Sequence, residues 1–177
     1  ALRNFGLPST AGPSGLGNAI DFDGSDDFVE IPDGLMQGVT SFTFESWFYH
    51  VEILNFQRLM FFGTTSGPDG DSFLSFSPTI TGNPNIYLKK GDERVFVTAP
   101  ETLAINNWHH LAFTIDGSGN EVVATIYING ELVESRTIPF GVSDLDLSTN
   151  LGLGNNPFGS SFLKGRLDEV RMWNTVR

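Results

Sequence analysis

Residues 18–32 read NAIDFDGSDDFVEIP, and this stretch decides the fold class predicted for the chain. Ile20 and Phe22 share one face of a strand by alternation of period two, and Val29 and Ile31 do the same in a second short strand. The two apolar pairs flank an acidic turn. The stretch therefore predicts two β-strands that direct apolar side chains into a core and are separated by a charged loop.

The acidic turn places the carboxylates of Asp21, Asp23, Asp26 and Asp27 within seven residues. Like charges at this spacing repel one another, so the turn either stays solvated or holds a cation, and calcium prefers oxygen ligands of this kind. Asp-Gly and Ser-Asp pairs are also ordinary turn chemistry. An EF-hand is excluded, because counting twelve positions from Asp21 reaches Pro32 where that loop needs a glutamate. Any metal would need further ligands from elsewhere in the chain.

Length and composition limit the function classes that the chain can belong to. At 177 residues and 40% hydrophobic content, it is long enough for one sizeable core and short for two domains. The net charge of −11 argues against electrostatic binding to nucleic acid or to an anionic membrane. The chain has no cysteine, which excludes disulfides and thiolate metal sites.

The remainder of the chain repeats the pattern of short alternating strands divided by turns. Glycine and proline punctuate residues 1–17, which predicts an irregular N-terminal arm lying over the sheets. Asn129 and Gly130 predict a type I′ hairpin turn. The further strands are predicted at residues 41–51, 57–63, 72–77, 86–90, 95–98, 108–115, 122–128, 132–137, 151–153 and 165–173.

No segment has apolar residues at helical spacing over three turns, so the prediction is an all-β protein. A dozen or so strands with frequent turns indicate two antiparallel sheets packed face to face. The first and last strands of such folds commonly lie side by side. That arrangement is expected to carry Asp168 toward the acidic turn.

Five segments in this order resemble the laminin-G-like or concanavalin A-like domains of bacterial extracellular proteins. They are AIDFDGSDDFV at 19–29, SFTFESW at 41–47, WHHLA at 108–112, YING at 127–130 and GRLDEVR at 165–171. The resemblance implies a two-sheet antiparallel jelly-roll β-sandwich forming a single domain over residues 1–177. We expect this domain to be one piece of a larger multidomain protein, to contact neighbouring domains and to be monomeric in isolation.

The same resemblance implies a structural calcium ion where the first and last strands meet. Its implied ligands are Asp23, Gly24, Asp27 and Asp168, with Asp21 and Asp26 as second choices. Ligands from both ends of the chain would couple metal binding to closure of the fold. The alternative is that Asp168 pairs with an arginine of its own strand in an ordinary structural role.

Related jelly rolls include glycoside hydrolases, so the carboxylates were compared with a catalytic pattern. Such enzymes resemble one another in a Glu-x-Asp-x-(x)-Glu strand, and retaining enzymes need two carboxyl groups about 5 Å apart. The nearest segment here, residues 19–23, begins with Ala19, which cannot act as a nucleophile. Glu45 is a lone carboxylate on its strand. The sequence therefore predicts a non-catalytic domain.

A carbohydrate-binding module agrees better with the side chains available. Sugar recognition uses aromatic faces together with arginine, amide and other polar groups. The cations at Lys89, Lys90 and Arg94 hint at an anionic polysaccharide, although a solvated hairpin explains them equally well. The alternative for Trp47 is burial under loops. The candidate carbohydrate-binding residues are Trp47, Tyr49, Arg58, Tyr87, Lys89, Arg94 and Asn156.

The expected partner is a polysaccharide or cell-surface glycan, and the expected location is outside the cell or on its surface. No apolar run long enough to insert into a membrane occurs. The third function class is an adhesion or scaffold domain that spaces its neighbours without binding a glycan.

Overall fold

The computed structural model describes residues 9–65, 71–79, 82–149, 151–154, 157 and 162–177, and these form two antiparallel β-sheets. The predicted two-sheet antiparallel sandwich is confirmed. Within the described residues the helical segment is the short 3-10 turn Val142–Asp144. The strands are β1 Ser9–Ala11, β2 Asn18–Asp23, β3 Val29–Glu30, β4 Phe42–His50, β5 Met60–Thr64, β6 Ser72–Ser77, β7 Asn85–Lys90, β8 Glu93–Thr98, β9 Asn107–Asp116, β10 Val122–Ile128, β11 Glu131–Ile138, β12 Gly152–Leu153 and β13 Lys164–Trp173.

The larger sheet has seven strands in the order β1-β2-β13-β4-β9-β10-β11. The predicted neighbour relation of the first long strand and the last one is confirmed, since β2 pairs with β13. One part of the predicted irregular arm is wrong: residues 9–11 form β1, which pairs antiparallel with β2 at the sheet edge. Residues 1–8 of that arm lie outside the described residues.

The smaller sheet has six strands in the order β3-β12-β5-β6-β7-β8. Strands β5 to β8 form a meander in which each strand pairs with the next one along the chain. Alternation of period two gives each of these strands one face toward the other sheet and one face toward the outside.

The core between the sheets is rich in phenylalanine. Phe44, Phe76 and Phe113 stack with ring centroids 4.9 to 6.3 Å apart. Phe62 packs edge-on against Phe76, and Phe42 lies against it at an interplanar angle of 56°. All five side chains are fully buried. Burial of aromatic side chains of this size supplies much of the free energy that holds two sheets together.

The turn between β10 and β11 has the predicted geometry. Asn129 has φ of 53° and Gly130 has φ of 83°, the left-handed values that a type I′ turn requires. The Asn129 side-chain oxygen also accepts a hydrogen bond of 3.0 Å from the backbone N–H of His110. The hairpin is therefore fixed both by its own backbone and by the adjacent strand.

Candidate functional site

The loop between β2 and β3 brings three of the predicted acidic residues together. Carboxylate oxygens of Asp23, Asp26 and Asp27 lie within 4.8 Å of one another. The loop closes on itself, because the backbone N–H of Asp23 donates to Asp27 Oδ2 at 2.9 Å and that of Ser25 donates to Asp23 Oδ1 at 2.7 Å. Gly24 permits the sharp turn with φ of 84°. Asp21 lies on β2 instead, 3.7 Å from the Arg166 guanidinium.

The structure does not bring Asp168 to this loop, which corrects the predicted four-residue ligand set. Lys164, at the start of β13, is the residue opposite Asp23. β2 and β13 run antiparallel, so β13 runs away from the loop after Lys164. Asp168 is four residues further along β13, which is about 13 Å from Lys164. The strand neighbours were predicted correctly, but their register separates the two groups of acids.

Asp168 instead lies beside the turn at residues 12–17. Its Oδ1 accepts a hydrogen bond of 2.8 Å from the backbone N–H of Glu169, whereas its Oδ2 is buried and has no hydrogen-bond partner among the described residues. A Cβ placed on Gly12 would lie 2.3 Å from that Oδ2 and 3.0 Å from the carbonyl oxygen of Gly17. Burial raises the pKa of Asp168, and Arg171 opposes this shift. The carboxylate thus faces a glycine turn that has room for it and offers a backbone oxygen.

A local irregularity in β13 directs this carboxylate. The pairing of β13 with β4 shifts register between Asp168 and Arg171, and Glu169 has φ of 50°. A bulge of this kind alters which way a side chain points. Nothing in the alternating sequence of β13 indicated the bulge, so the orientation of Asp168 was not predictable from the pattern.

Two of the predicted carbohydrate-binding residues, Trp47 and Tyr49, lie on the outer face of the seven-stranded sheet. Both are partly buried by ring contacts within that face. Trp47 packs edge-on against His110 at 5.4 Å, and Tyr49 packs against Trp108 at 5.4 Å and under the Arg166 guanidinium at 4.9 Å. These contacts stabilise the sheet and leave only part of each ring accessible.

Glu45, the lone carboxylate of that face, is also engaged within the sheet. Its Oε1 accepts a hydrogen bond of 3.0 Å from Trp173 Nε1, and its Oε2 lies 3.8 Å from His110 Nε2. The residue joins β4 to the strands on either side of it.

The outer face of the six-stranded sheet has a continuous row of aromatic rings. Phe61 and Phe73 lie 5.2 Å apart, Phe73 meets Tyr87 edge-on at 4.9 Å, and Tyr87 stacks on Phe96 at 4.2 Å with an interplanar angle of 16°. The row begins with fully buried rings and ends at Phe96, which is 41% exposed. The accessible part of this row is therefore its outer end, where the Tyr87 and Phe96 rings stack.

A cluster of buried polar side chains adjoins this row, and we call Arg58, Ser75, Ser77 and Asn85 the polar cluster. Arg58 Nη1 donates to Ser77 Oγ at 2.8 Å. Asn85 Nδ2 donates to Thr98 Oγ1 at 2.6 Å. Within the described part of the chain, Arg58 Nε, Ser75 Oγ and Asn85 Oδ1 are buried without a hydrogen-bond partner. Unpartnered buried polar atoms are rare in proteins, and these three are enclosed by the surrounding chain.

The other residues predicted to contact a glycan have different environments. Lys89, on the same face as Tyr87, forms an ion pair with Asp71. Lys90 lies 3.7 Å from Asp144, and Arg94 is exposed. Asn156 lies outside the described residues. Two of the three predicted cations on this hairpin are therefore matched by acids.

Arg58 and Tyr87 are candidates from the sequence, whereas the residues that surround them are not. Phe96 was detectable, because it alternates out of phase with the buried Val95 and Val97 on β8. Ser75 and Asn85 had no such signal. The pairing of β6 with β7 places Asn85 opposite Ser77, which is hydrogen-bonded to Arg58, and Ser75 lies two residues from Ser77 along β6.

The two antiparallel sheets define a jelly-roll β-sandwich, and comparison with known families gives a more specific assignment. The model of the Laminin_G_3 family, described as the concanavalin A-like lectin/glucanases superfamily, matches residues 23–177. The chain belongs to this family. A search of curated proteins finds no match to it.

Solved structures with the same fold include carbohydrate-binding domains. Domain 4 of AbnA, a GH43 extracellular arabinanase from Geobacillus stearothermophilus in complex with arabinotriose, is 23% identical with a TM-score of 0.72, covering 94% of this chain and 74% of that one. The CBM40 of the Ruminococcus gnavus IT-sialidase, bound to α2,3 sialyllactose, is 16% identical with a TM-score of 0.70, covering 90% and 91%. Mouse laminin α1 domains LG4-5 are 12% identical with a TM-score of 0.66, covering 87% and 40%.

The helical content was also compared with what a membrane-spanning protein requires. Within the described ranges, the chain contains no helix with the length and apolar character needed to cross a membrane.

Proposed function

We propose that this chain is a non-catalytic carbohydrate-binding module whose ligand lies on the outer face of the six-stranded sheet. The observation that supports this most directly is the exposed end of the aromatic row, where Tyr87 stacks on the 41% exposed Phe96. A pyranose or furanose ring has an apolar face that packs on an aromatic ring, and hydroxyl groups around its edge that need hydrogen-bond partners. Tyr87 and Phe96 supply the first kind of contact, and the exposed Arg94 on the same strand as Phe96 supplies a hydrogen-bond donor for the second.

The comparisons support the same proposal at the level of the family. Domain 4 of AbnA and the Ruminococcus gnavus CBM40 were solved with arabinotriose and sialyllactose respectively. Both are parts of larger enzymes by their descriptions. A module of this kind adds substrate affinity to its parent protein and has no chemistry of its own.

Binding to a glycan array and retardation in polysaccharide affinity gels test the proposal. We expect at least one neutral or acidic glycan to bind, and a Tyr87→Ala variant that melts near the wild-type temperature to lose most of that binding. Absence of binding across plant, algal, microbial and animal glycans would favour the scaffold function. Release of reducing sugar by the purified domain would favour a hydrolase.

We also propose that Asp168 holds a structural calcium ion together with backbone oxygens of the turn at residues 12–17. The buried Oδ2 without a partner and the missing side chain at Gly12 fit a hard cation that takes carboxylate and carbonyl ligands. The acidic loop fits less well. Two of its carboxylates already accept backbone hydrogen bonds within the loop. Calcium at Asp168 would tie the N-terminal turn to the last strand.

Thermal melting with calcium and with EGTA, using magnesium as a control ion, tests this second proposal. Ligand present at one hundred times its dissociation constant stabilises a fold by about 2.7 kcal/mol, which corresponds to roughly 5–10 °C for a chain of this size. We expect Asp168→Asn to lose this shift and Asp26→Asn to keep it. The reverse result would assign the ion to the acidic loop, and no shift in the wild type would overturn the calcium proposal.

We propose an extracellular location for the protein that contains this domain. The arabinanase with the same fold is described as extracellular. A calcium site of modest affinity would be filled outside the cell, where extracellular modules bind calcium at about 0.1–1 mM. Fractionation of the producing cells with an antibody against the domain tests this, and recovery in the cytosolic fraction would contradict it.

A further inference from the structure

A cavity of about 460 Å³ lies between the connection from β8 to β9 and the β10–β11 hairpin, and we call it the edge cleft. It lies on the side of the sandwich where β8 and β11 are the edge strands of their sheets. Its aliphatic lining consists of Leu103, which is 3% exposed, and of Ile128 and Val133, which pack against the core. The edge cleft therefore has an apolar floor that the core holds in place.

Two glutamates line the edge cleft, and both are exposed to solvent. Glu101 belongs to the connection from β8 to β9, and Glu131 is the first residue of β11. Neither carboxylate forms an ion pair with a described residue. Within the described residues no lysine or arginine lines the cavity. The described chain thus provides this cleft with negative charge and with no counterion.

The imidazole of His109 also lines the edge cleft, and it is 9% exposed. Its Nε2 lies 2.9 Å from the carbonyl oxygen of Ala104, so Nε2 carries the hydrogen and Nδ1 of the neutral ring is an acceptor. Nδ1 is buried without a hydrogen-bond partner among the described residues. The side chains around the cleft therefore favour a ligand that donates hydrogen bonds.

The lining of the edge cleft discriminates between classes of ligand. The acids and histidines near enough to one another to hold a metal ion lie elsewhere in the described chain, in the β2–β3 loop. No phenylalanine, tyrosine or tryptophan lines the cleft, so a sugar ring or a guanidinium would find no aromatic face to pack on. A lysine side chain combines an aliphatic stem of four carbons with an ammonium that has three donors. Its stem matches the apolar floor, and its charge matches the two glutamates.

We infer that the edge cleft is a docking site for a lysine side chain of a protein partner. The ammonium binds the exposed carboxylates of Glu101 and Glu131, and the methylene stem lies along the apolar floor. The net charge of −11 on the chain favours the approach of a basic partner. This function is additional to glycan binding and uses a surface other than the exposed end of the aromatic row.

Nuclear magnetic resonance titration of the isotope-labelled wild-type domain tests the inference. The probes are the capped tripeptide Gly-Lys-Gly and the same peptide with its lysine acetylated at Nζ, which keeps the stem and removes the charge. We expect the charged peptide to shift the backbone amide signals of residues 100–104 and 128–133 and to bind about threefold or more tightly than the acetylated peptide. Its affinity should decrease as the salt concentration rises.

A double variant connects the binding to the two carboxylates. Glu101→Gln combined with Glu131→Gln should weaken binding of the charged peptide about tenfold and remove its preference over the acetylated one. Both residues are exposed, so the variant should melt near the wild-type temperature. Glu121→Gln is the matched control, because Glu121 is exposed at the opposite end of β10 from the hairpin, and it should bind the peptide as the wild type does.

Each contrary result has a definite meaning. The inference would be overturned if the charged peptide left these amide signals unchanged, if the two peptides bound equally, or if the double variant kept the wild-type affinity. Shifts of the same signals by glucosamine in place of the lysine peptide would assign the cleft to an amino sugar and overturn the protein partner. None of these results bears on the glycan array or on Tyr87→Ala, so failure of this inference is separate from failure of the proposed function.

Discussion

Gly63 lies directly against the backbone of Phe73 in the hairpin of β5 and β6. A Cβ at Gly63 would be 2.6 Å from Phe73 Cα and 2.2 Å from the carbonyl oxygen of Ser72, and the residue has φ of 124°. Phe73, which pairs with Gly63, is the second member of the aromatic row. The row therefore depends on a glycine in the neighbouring strand.

Substitution of Gly63 by alanine should destabilise the fold substantially. The added methyl group would clash with backbone atoms, which cannot move without breaking the β5–β6 pairing, and the positive φ adds strain. We expect a loss of about 3 kcal/mol or more in the free energy of unfolding, measured by urea denaturation. Gly119→Ala is the matched control, because its nearest neighbours lie 3.8 Å away. Similar stabilities for the two variants would contradict the close packing described here.

Substitution of Gly12 by alanine should remove the response to calcium. The new Cβ would lie 2.3 Å from Asp168 Oδ2, in the space assigned to the ion. We expect Gly12→Ala to melt at the same temperature in calcium and in EGTA, whereas Ser14→Ala, exposed in the same turn, should show the wild-type difference. A wild-type calcium shift in Gly12→Ala would show that the ion binds elsewhere.

The sequence predicted most strands because apolar residues alternate with period two along them. β6 and β10 have the predicted bounds, and the last strand begins one residue earlier than predicted, at Lys164. β1 was missed, because its three residues, Ser9–Ala11, include no large apolar side chain and form a strand only through pairing with β2. The local sequence pattern is thus sufficient to predict a strand that has a buried apolar face of its own. It is insufficient for a strand such as β1, which forms only by pairing with a neighbouring strand.

The candidate sites were less predictable, because they depend on register and on sheet membership. Alternation indicated that Trp47 and Tyr87 both leave the core, but it does not say which sheet each strand joins, and the two lie on different sheets. Asp168 was correctly placed on a strand beside β2. Its distance from Asp23 follows from the antiparallel register, which no residue pattern in β13 specifies.

Stability should decrease on mild acidification because of His50. The side chain is fully buried, with Nδ1 3.1 Å from the Leu103 carbonyl oxygen and Nε2 3.1 Å from that of Glu52. Burial lowers the pKa of His50 from its ordinary value of 6.5, and the two carbonyls oppose the shift less strongly. Because the folded-state pKa is the lower one, the unfolded chain binds the proton first. The contribution of His50 to stability is therefore fully present above pH 6.5 and is lost as the pH falls from 6.5 toward the folded-state value.

Urea denaturation between pH 7.5 and pH 5.5 measures this effect, since most carboxylates remain ionised over that range. A single group of this kind changes the free energy of unfolding by at most about 1.4 kcal/mol per pH unit. His50→Gln should be less stable than the wild type at pH 7.5 and should have a flatter pH profile. Parallel profiles for the two proteins would assign the pH dependence to other groups.

Phe96 should contribute directly to glycan affinity, because it is the exposed end of the aromatic row. The ring is 41% exposed and stacks on Tyr87 at 4.2 Å, so a bound sugar would cover it without any rearrangement of the core. We expect Phe96→Ala to weaken binding of the glycan identified on the array about tenfold, equivalent to about 1.4 kcal/mol. Loss of the stacking contact with Tyr87 should reduce stability by only about 1 kcal/mol.

Leu132→Ala is the control for this substitution, because Leu132 is 59% exposed on β11 of the other sheet. Calorimetry on both variants separates loss of a binding contact from a general loss of exposed apolar surface. Wild-type affinity in Leu132→Ala with weakened affinity in Phe96→Ala would support the outer face of the six-stranded sheet as the binding surface. The opposite pattern would move the ligand to the seven-stranded sheet, where Trp47 and Tyr49 lie.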